Sequence, residues 1–350
     1  MAVNEELLDM AIMRSLQGAS RANEIADRVK DIMENEVLPD IARQLNDIPL
    51  SELTSQQRRL MALRNAIRKG IGFDRVSAPL SEWLEGAALD EAEALLEGMT
   101  EVTRPIDLQF LMPSPEVLYQ VIFQEPFNNV LMSEWLAKLD DTVQEDLLQA
   151  FRVGMIEGKS VPQMAKDLIE RNYDAFETGG VNKAINNAKA VARTAANFSL
   201  NRAKEATYEA NRDIVKAVEY VATLDDRTTF ICMDLHGNVY PIGEGERPPQ
   251  HFQCRSTTVP VLRSWQELGI DKEDLTISQQ RDMDGLVPAP KTFDEWLKTK
   301  PIDVQNKLLG PVRADLWRTG KIPEISGFMD LEGKKIDLID LGYNRAGRKI

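Results

Sequence analysis

The chain has 350 residues, of which 43% are hydrophobic, 28% charged and 6% aromatic. This composition is typical of a globular protein, and the length allows about two domains with cores of their own. Lysine and arginine total 42 against 56 aspartates and glutamates, a net charge of −14. A chain with this much negative charge is not expected to bind nucleic acid over its whole surface. Any contact with DNA must therefore be local.

The N-terminus and the cysteine count indicate where the chain folds. No apolar run reaches the length of about 18 residues that a membrane span needs. Residues 1–6 lack the cationic start and apolar core of a signal peptide. Two cysteines cannot form a disulfide framework. We therefore expect a protein made and folded in the cytoplasm, with no membrane partner.

Helices are predicted over the first third of the chain. Ile25, Val29 and Ile32 recur three or four positions apart, the period of a helix with one buried face. Prolines between Thr100 and Pro115 then predict a loop and a first domain boundary. We expect residues 1–110 to form an N-terminal helical region of unknown role.

The middle of the chain predicts a helical bundle that leads into a small β unit. A long amphipathic helix is expected at 133–156, and an alanine-rich helix at 181–211. The periodicity then changes to short β segments separated by turns rich in glycine and proline. These β segments are 215–224, 238–242 and 257–262.

The fold class predicted from these elements is mainly α, or α+β. The second domain is predicted at 111–265, with the β unit at 215–262, and a helical C-terminal extension at 266–350. In the extension, Thr292 and Glu295 have the spacing of a capping box. A basic tail ends the chain, with five cations against Asp337 and Asp340. The five cations are Lys334, Lys335, Arg345, Arg348 and Lys349.

The segment 154–160 superficially resembles a phosphate-binding P-loop. A P-loop needs four residues between its glycines and a preceding strand. Here three residues separate Gly154 from Gly158, and a helix is predicted before them. The segment is therefore interpreted as the end of one helix, with Ser160 and Gln163 capping the next.

All the cysteines and histidines of the chain, two of each, lie between Cys232 and Cys254. Four residues placed at random would share so short a window about once in a thousand chains. Their order is Cys232, His236, His251, Cys254, with the spacing C-x3-H-x14-H-x2-C. Two close pairs separated by a longer loop can supply the four ligands of a tetrahedral zinc ion. A structural zinc at these residues is thus one prediction for a β unit too small to hold itself.

Three other interpretations of this cluster stay open. The cysteines can be ordinary buried residues while the histidines hydrogen-bond to backbone. Cys232 and Cys254 can form a disulfide, although the cytoplasm disfavours one. The third interpretation is a catalytic thiol, assisted by a histidine and by one of Asp225, Asp226 or Asp234. No family-specific nucleophile signature is present, however.

The segment around the cluster is similar to the hallmark region of the phage Mu F-like head morphogenesis family, the minor head proteins. Its order and spacing are specific, and further stretches before it and in the C-terminal extension agree over about residues 115–345. The stretches are 154–165, 192–195 (ARTA), 224–228 (LDDRT), 235–237 (LHG), 248–256 (PPQHFQCRS), 293–297 (FDEWL), 309–314 (LGPVRA) and 318–321 (RTGK).

The resemblance also shows a departure at the cluster. Many members carry further cysteines at the positions that Thr229 and Ser256 occupy here. A full set of cysteine ligands is therefore absent, and a zinc ion would need His236, Asp234 or water as its fourth ligand.

The resemblance implies a minor capsid protein of a tailed-phage head, made in the host bacterial cytoplasm and incorporated at the portal vertex or head interior. Its expected partners are the portal protein and the major capsid or scaffolding protein. It would support prohead assembly and DNA packaging or ejection, without enzymatic activity. The alternative is a metal-dependent nuclease or toxin-like enzyme delivered with the phage DNA. A third hypothesis is contact between the basic tail and packaged double-stranded DNA.

Overall fold

The computed structural model of the chain describes residues 5–49, 55–72, 74–104, 108–127, 129–176, 180–270, 279–282, 285–288, 292–330 and 333–349. These residues form a mainly α structure with small antiparallel sheets, which confirms the predicted fold class. None of their helices is long and apolar enough to cross a membrane.

The described residues group into two compact units, each assembled from separate parts of the chain. Unit 1 takes its residues from Met1–Ala19, Asp90–Ser114 and Asn201–Ile350, and unit 2 from Ser20–Leu89 and Pro115–Leu200. The division into 1–110, 111–265 and 266–350 stays a prediction.

Helices begin and end close to the predicted positions. A π-helical turn, Met33–Val37, joins the first two. The α-helices are α1 (Glu5–Ile32), α2 (Leu38–Asn46), α3 (Gln56–Ile71), α4 (Ser77–Thr103), α5 (Pro115–Phe123), α6 (Met132–Ile156), α7 (Val161–Ile169), α8 (Gly180–Ala210), α9 (Phe230–Leu235), α10 (Phe293–Lys298), α11 (Ile302–Leu309) and α12 (Pro311–Arg318).

The predicted β unit is a three-stranded antiparallel sheet in the order β4-β3-β5. Its central strand pairs Val218 with Tyr240 on one side and with Pro260 on the other. Two short hairpins occur that the sequence did not predict. The strands are β1 (Pro126–Phe127), β2 (Val130–Leu131), β3 (Val215–Val221), β4 (Val239–Pro241), β5 (Thr257–Leu262), β6 (Gln279–Asp282) and β7 (Gly285–Pro288).

The segment that resembled a P-loop is a helix end followed by a helix start, as interpreted. Gly158 adopts a φ of 89°, a left-handed conformation that ends the helical path after α6. Ser160 and Gln163 then form a reciprocal capping box at the start of α7. The amides of Gly158, Lys159, Ser160 and Gln163 are thus all bonded within the protein.

The sheet of unit 1 is stabilised by apolar contact with two long helices. Met99 of α4 and Tyr208 of α8 share a buried cluster with Val215 and Val218 of β3 and with Leu262 of β5. Since three short strands cannot bury a face alone, this helical cover supplies the core that the sheet lacks.

The C-terminal extension packs on the segment that follows β3. Its buried residues, among them Phe293, Trp296 and Trp317, share one cluster with Leu224 and with Met233 of α9. The extension therefore belongs to the same compact unit as the sheet.

The described part of the basic tail, 333–349, is folded into turns. Ile336 donates its amide to the Phe328 carbonyl at 2.9 Å, and Tyr343 forms an isolated β-bridge with Lys349. The Lys335 ammonium lies 5.3 Å from the centre of the Phe230 ring. All five cations of the tail are exposed, so they form a cationic surface on a folded segment.

A buried ion pair joins α4, α8 and β5. The Lys204 ammonium lies 3.3 Å from a Glu91 carboxylate oxygen, and the two side chains are only 5% and 3% exposed. Lys204 also donates a 2.6 Å hydrogen bond to Thr257 Oγ1. Because an unpaired charge is costly at this depth, the three elements depend on one another at this point.

Removing one member of this pair should destabilise the protein strongly. E91L leaves the Lys204 ammonium buried without its counter-ion, so we expect a loss of about 3–5 kcal/mol in the free energy of unfolding. The double variant E91L/K204M removes both charges and should recover most of that loss. Urea denaturation measures both. As the control, E209A breaks an exposed pair with Arg212 and should cost less than about 1 kcal/mol. A double variant no more stable than E91L would contradict this account.

Candidate functional site

The register of the sheet explains why residues distant in sequence meet. Val221 at the end of β3 pairs with Thr257 at the start of β5. The segment leaving β3 and the segment entering β5 therefore emerge at the same end of the sheet. The first carries α9 with Cys232, and the second carries His251 and Cys254.

Three of the four predicted ligands are brought together there. Cys232 Sγ lies 3.7 Å from Cys254 Sγ and 3.3 Å from His251 Nε2. One ligand atom from each of the three residues lies within 4.8 Å of the others. Both cysteines are buried and free, so the structure contains no disulfide between them. We call Cys232, His251 and Cys254 the cysteine–histidine cluster.

The fourth predicted ligand, His236, lies outside this cluster. It is buried in the turn after α9, where its Nδ1 accepts the Ala222 amide at 3.1 Å. Its ring meets the edge of Phe293, with centroids 6.4 Å apart. Asp234, the other protein alternative for a fourth ligand, is also not part of the cluster. Burial and the charges of Asp294 and Glu324 raise its pKa.

The orientation of the His251 ring is set by a backbone contact. Nδ1 lies 2.8 Å from the Phe252 carbonyl oxygen, which can only accept a hydrogen bond. Nδ1 therefore carries the proton of the neutral ring, and the lone pair of Nε2 faces Cys232. Thr229 Oγ1 also contacts Nε2, at 2.8 Å.

A tight turn places His251 and Cys254 side by side. The Cys254 amide donates to the His251 carbonyl at 3.1 Å, and Gln253 between them adopts a left-handed φ of 59°. A left-handed non-glycine residue stores strain that the surrounding contacts must hold in place. The Gln250 amide also hydrogen-bonds to the Cys254 sulfur.

The two thiols share protons unequally. The hydrogen bond from Cys232 and the contact with His251 lower the pKa of the Cys254 thiol, against the effect of burial. The hydrogen bond to Cys254, together with burial, raises the pKa of Cys232. Burial alone would lower the pKa of His251, but the hydrogen bond and charge of Cys254 outweigh it and raise that pKa. Of the two thiols, Cys254 is therefore the more acidic.

Hydroxyl groups surround Cys232. Ser256 and Thr229 both hydrogen-bond to its sulfur, and Tyr220 OH lies 3.4 Å from it. A cavity of about 10 Å³ adjoins the cluster, which is room for about one water molecule. It is lined by Thr223, Arg227, Thr228, Thr229, Cys232, His251, Gln253, Arg255 and Ser256.

An ion pair beside the cluster fixes the same two segments. Arg255 places both guanidinium branches on the Asp225 carboxylate, at 2.5 and 2.6 Å. Asp225 also accepts the Arg227 amide at 2.9 Å, which closes a turn after β3. Arg227 is nearer to Asp225 in the sequence, but its side chain is 74% exposed and lies 3.6 Å from the Asp225 carboxylate. Arg255, which follows Cys254 directly, makes the bidentate contact that sequence reasoning missed.

Residues 141–259 match the family model described as Phage Mu protein F like protein. Over these residues the chain is similar to the phage Mu F-like family. The match begins in α6, ends in β5 and includes the whole cysteine–histidine cluster. No curated protein and no solved structure matches the chain. The match points to a role in phage head morphogenesis, with other head proteins as partners and the virion as location.

The Asp225–Arg255 pair should require arginine specifically. R255K keeps the charge but cannot place two parallel hydrogen bonds on one carboxylate. We expect a loss of about 1.5–3 kcal/mol in the free energy of unfolding, typical of hydrogen bonds to a charged group. R227K, at the exposed neighbour, is the matched control and should change stability by less than about 0.5 kcal/mol. Equal effects of R255K and R227K in thermal unfolding would contradict the assignment.

His236 should make stability sensitive to acid. Burial lowers its pKa from 6.5 to about 4, so between these values the unfolded chain binds a proton that the folded chain refuses. Stability therefore falls as the pH drops through this window, by at most about 1.4 kcal/mol per pH unit. H236N keeps an acceptor for the Ala222 amide without titrating. We expect it to lose less stability than the wild type from pH 6.5 to 4.

A second buried group, Glu219, changes the dependence of stability on pH in the opposite direction. The effect of His236 therefore has to be measured by comparing variants, and not from the wild type alone. Burial raises the pKa of this carboxyl from 4.5 to about 7, so the folded chain binds the extra proton there and stability rises as the pH falls. The two groups oppose each other where their windows overlap. E219Q removes the opposing contribution and serves as the second background. The free energy of unfolding is measured against pH for the wild type and H236N, and again for E219Q and E219Q/H236N. If H236N leaves the slope of the curve unchanged in both backgrounds, the assignment is contradicted.

Proposed function

We propose that this protein is a minor capsid protein of a tailed-phage head. It docks on the portal protein or on the inner shell formed by the major capsid or scaffolding protein. There it supports prohead assembly and DNA packaging or ejection. The observation that carries the proposal is the family match over residues 141–259, which contains α8, β3, β4, the start of β5 and the cysteine–histidine cluster.

The shape of the cluster favours a structural role over an enzymatic one. A nuclease needs an open cleft that admits a nucleotide, and small-molecule sites typically have volumes of about 300–1,000 Å³. The cavity beside Cys232 measures about 10 Å³. Both thiols are at most 2% exposed. The residues best suited to chemistry are therefore placed where a substrate cannot reach them.

The charge distribution favours protein partners, with DNA contact limited to one surface. The net charge of −14 opposes general binding to a phosphate backbone. Exposed cations at 334–349 provide the one local surface that we include in the proposal as a contact for packaged double-stranded DNA. Affinity of such a contact falls steeply as the salt concentration rises.

The proposal predicts a small and constant number of copies in phage heads. Quantitative mass spectrometry with labelled peptide standards would measure this protein against the portal and major capsid proteins. Proheads and mature heads are measured separately, since the difference tells whether copies leave during maturation. We expect a fixed number of copies of this protein per portal protein in proheads. This number should be far below the number of copies of the major capsid protein per portal protein.

Two further results complete this test. Heads assembled without the portal protein should contain fewer copies if the portal is the docking partner, and an unchanged number if the inner shell is. Absence from both proheads and mature heads would overturn the proposal. A metal-dependent nuclease activity of the purified protein, lost in H251A while folding is retained, would support the enzymatic alternative.

A further inference from the structure

We propose that Cys232, His251 and Cys254 bind one zinc ion that fastens α9 to the segment before β5. The inference rests on the geometry of this cluster and is independent of the role proposed in the phage head. It goes beyond that role because it assigns a metal to particular atoms of this chain.

Two of the distances between the three ligand atoms fit a tetrahedral zinc site closely, and the third is at most 4.8 Å. Two sulfurs bound to zinc at about 2.3 Å lie about 3.8 Å apart, and a sulfur and a nitrogen lie about 3.6 Å apart. The observed separations are 3.7 Å for the two sulfurs and 3.3 Å for Cys232 Sγ and His251 Nε2. The three side chains therefore already stand close to the positions that the ion requires.

The chemistry of the surroundings also fits a zinc ion. Two thiolates would balance the charge of Zn²⁺, so the loaded site would be electrically neutral in a buried position. His251 presents Nε2 while Nδ1 is held by the Phe252 carbonyl, the support that zinc-bound histidines normally have. The Gln250 amide contributes a hydrogen bond to the Cys254 sulfur.

The fourth position would be filled from the small cavity. The cavity beside Thr229, Cys232 and His251 has room for about one water molecule. The Thr229 hydroxyl is 2.8 Å from His251 Nε2, so it lies at the edge of the same space. A site with two cysteines, one histidine and one oxygen ligand results. His236 and Asp234 take no part in it.

The same residues fit the competing interpretations less well. A disulfide has its sulfurs about 2.05 Å apart, whereas Cys232 and Cys254 are separated by 3.7 Å with an imidazole against them. A catalytic thiol has to be accessible to its substrate, and Cys232 and Cys254 are 1% and 2% exposed. Zinc binding needs only the passage of an ion.

The first test is the zinc content of the full-length protein. The wild type is purified without chelator, stripped with a chelator under reducing conditions and titrated with Zn²⁺. We expect one zinc per chain by elemental mass spectrometry, and tetrahedral ligand-field bands when Co²⁺ replaces Zn²⁺. H236N is the matched control and should bind equally well, while C254S should lose the metal.

A gain-of-ligand variant keeps the test decisive if C254S fails to fold. T229C puts a thiol where a hydroxyl now contacts His251, so a third sulfur would reach the ion. We expect zinc transfer to a chromophoric chelator to slow at least tenfold relative to the wild type. T207C is the control, because Thr207 is also a threonine of unit 1 but is fully buried and donates to the Ala203 carbonyl, away from the cluster.

Two results would overturn the proposal. One is a folded, reduced wild type that binds no zinc and whose melting temperature is unchanged by added Zn²⁺. The other is zinc transfer that is equally fast from the wild type, T229C and T207C, since the ion would then lie elsewhere on the chain.

Discussion

The small size of the three-stranded sheet is the constraint on which unit 1 depends. One outer strand, β4, has three residues, and the central strand β3 has seven. A sheet of this size has too little apolar surface to be stable alone. Its stability must come from the elements around it: α4 and α8 on its apolar face, and the connecting segments at the end where β3 meets β5.

Ion pairs and hydrogen bonds add to the apolar contacts that stabilise the sheet. On the helical side, the Lys204–Glu91 pair and the bond to Thr257 tie β5 to α8 and α4. At the end of the sheet, the Asp225–Arg255 pair and the cysteine–histidine cluster fasten the same two segments. The family match runs from α6 into β5, so it includes Lys204, the Asp225–Arg255 pair and the cysteine–histidine cluster. A rigid end of this kind suits a protein that has to present one surface to other head proteins.

Sequence reasoning succeeded where a local pattern determines the structure. Helical periodicity and capping residues located α6, α7 and α8, and the change of period located the sheet. It also brought Cys232, His251 and Cys254 together, because they were the rare residues of one short window. It failed where the outcome depends on three-dimensional neighbours. His236 has the right residue type and spacing for a ligand, yet its ring faces the Ala222 amide and Phe293.

The same limit explains two other differences between prediction and structure. Arg227 and Arg255 are equally plausible partners for Asp225 in the sequence, and only the antiparallel register of β3 and β5 selects Arg255. The cations of the C-terminal tail gave no sign that 333–349 would fold, because the apolar residues that hold it, such as Leu338 and Tyr343, are few and irregularly spaced.

Native-state hydrogen exchange tests most directly whether the fastened segments and the sheet form one cooperative body. The informative amides are those of Met233, bonded to the Thr229 carbonyl, and Cys254, bonded to the His251 carbonyl. Our account predicts that both exchange with the protection of Tyr220 in β3, through the same unfolding event. Exchange of Met233 and Cys254 at the rate of an exposed loop, with β3 still protected, would contradict it.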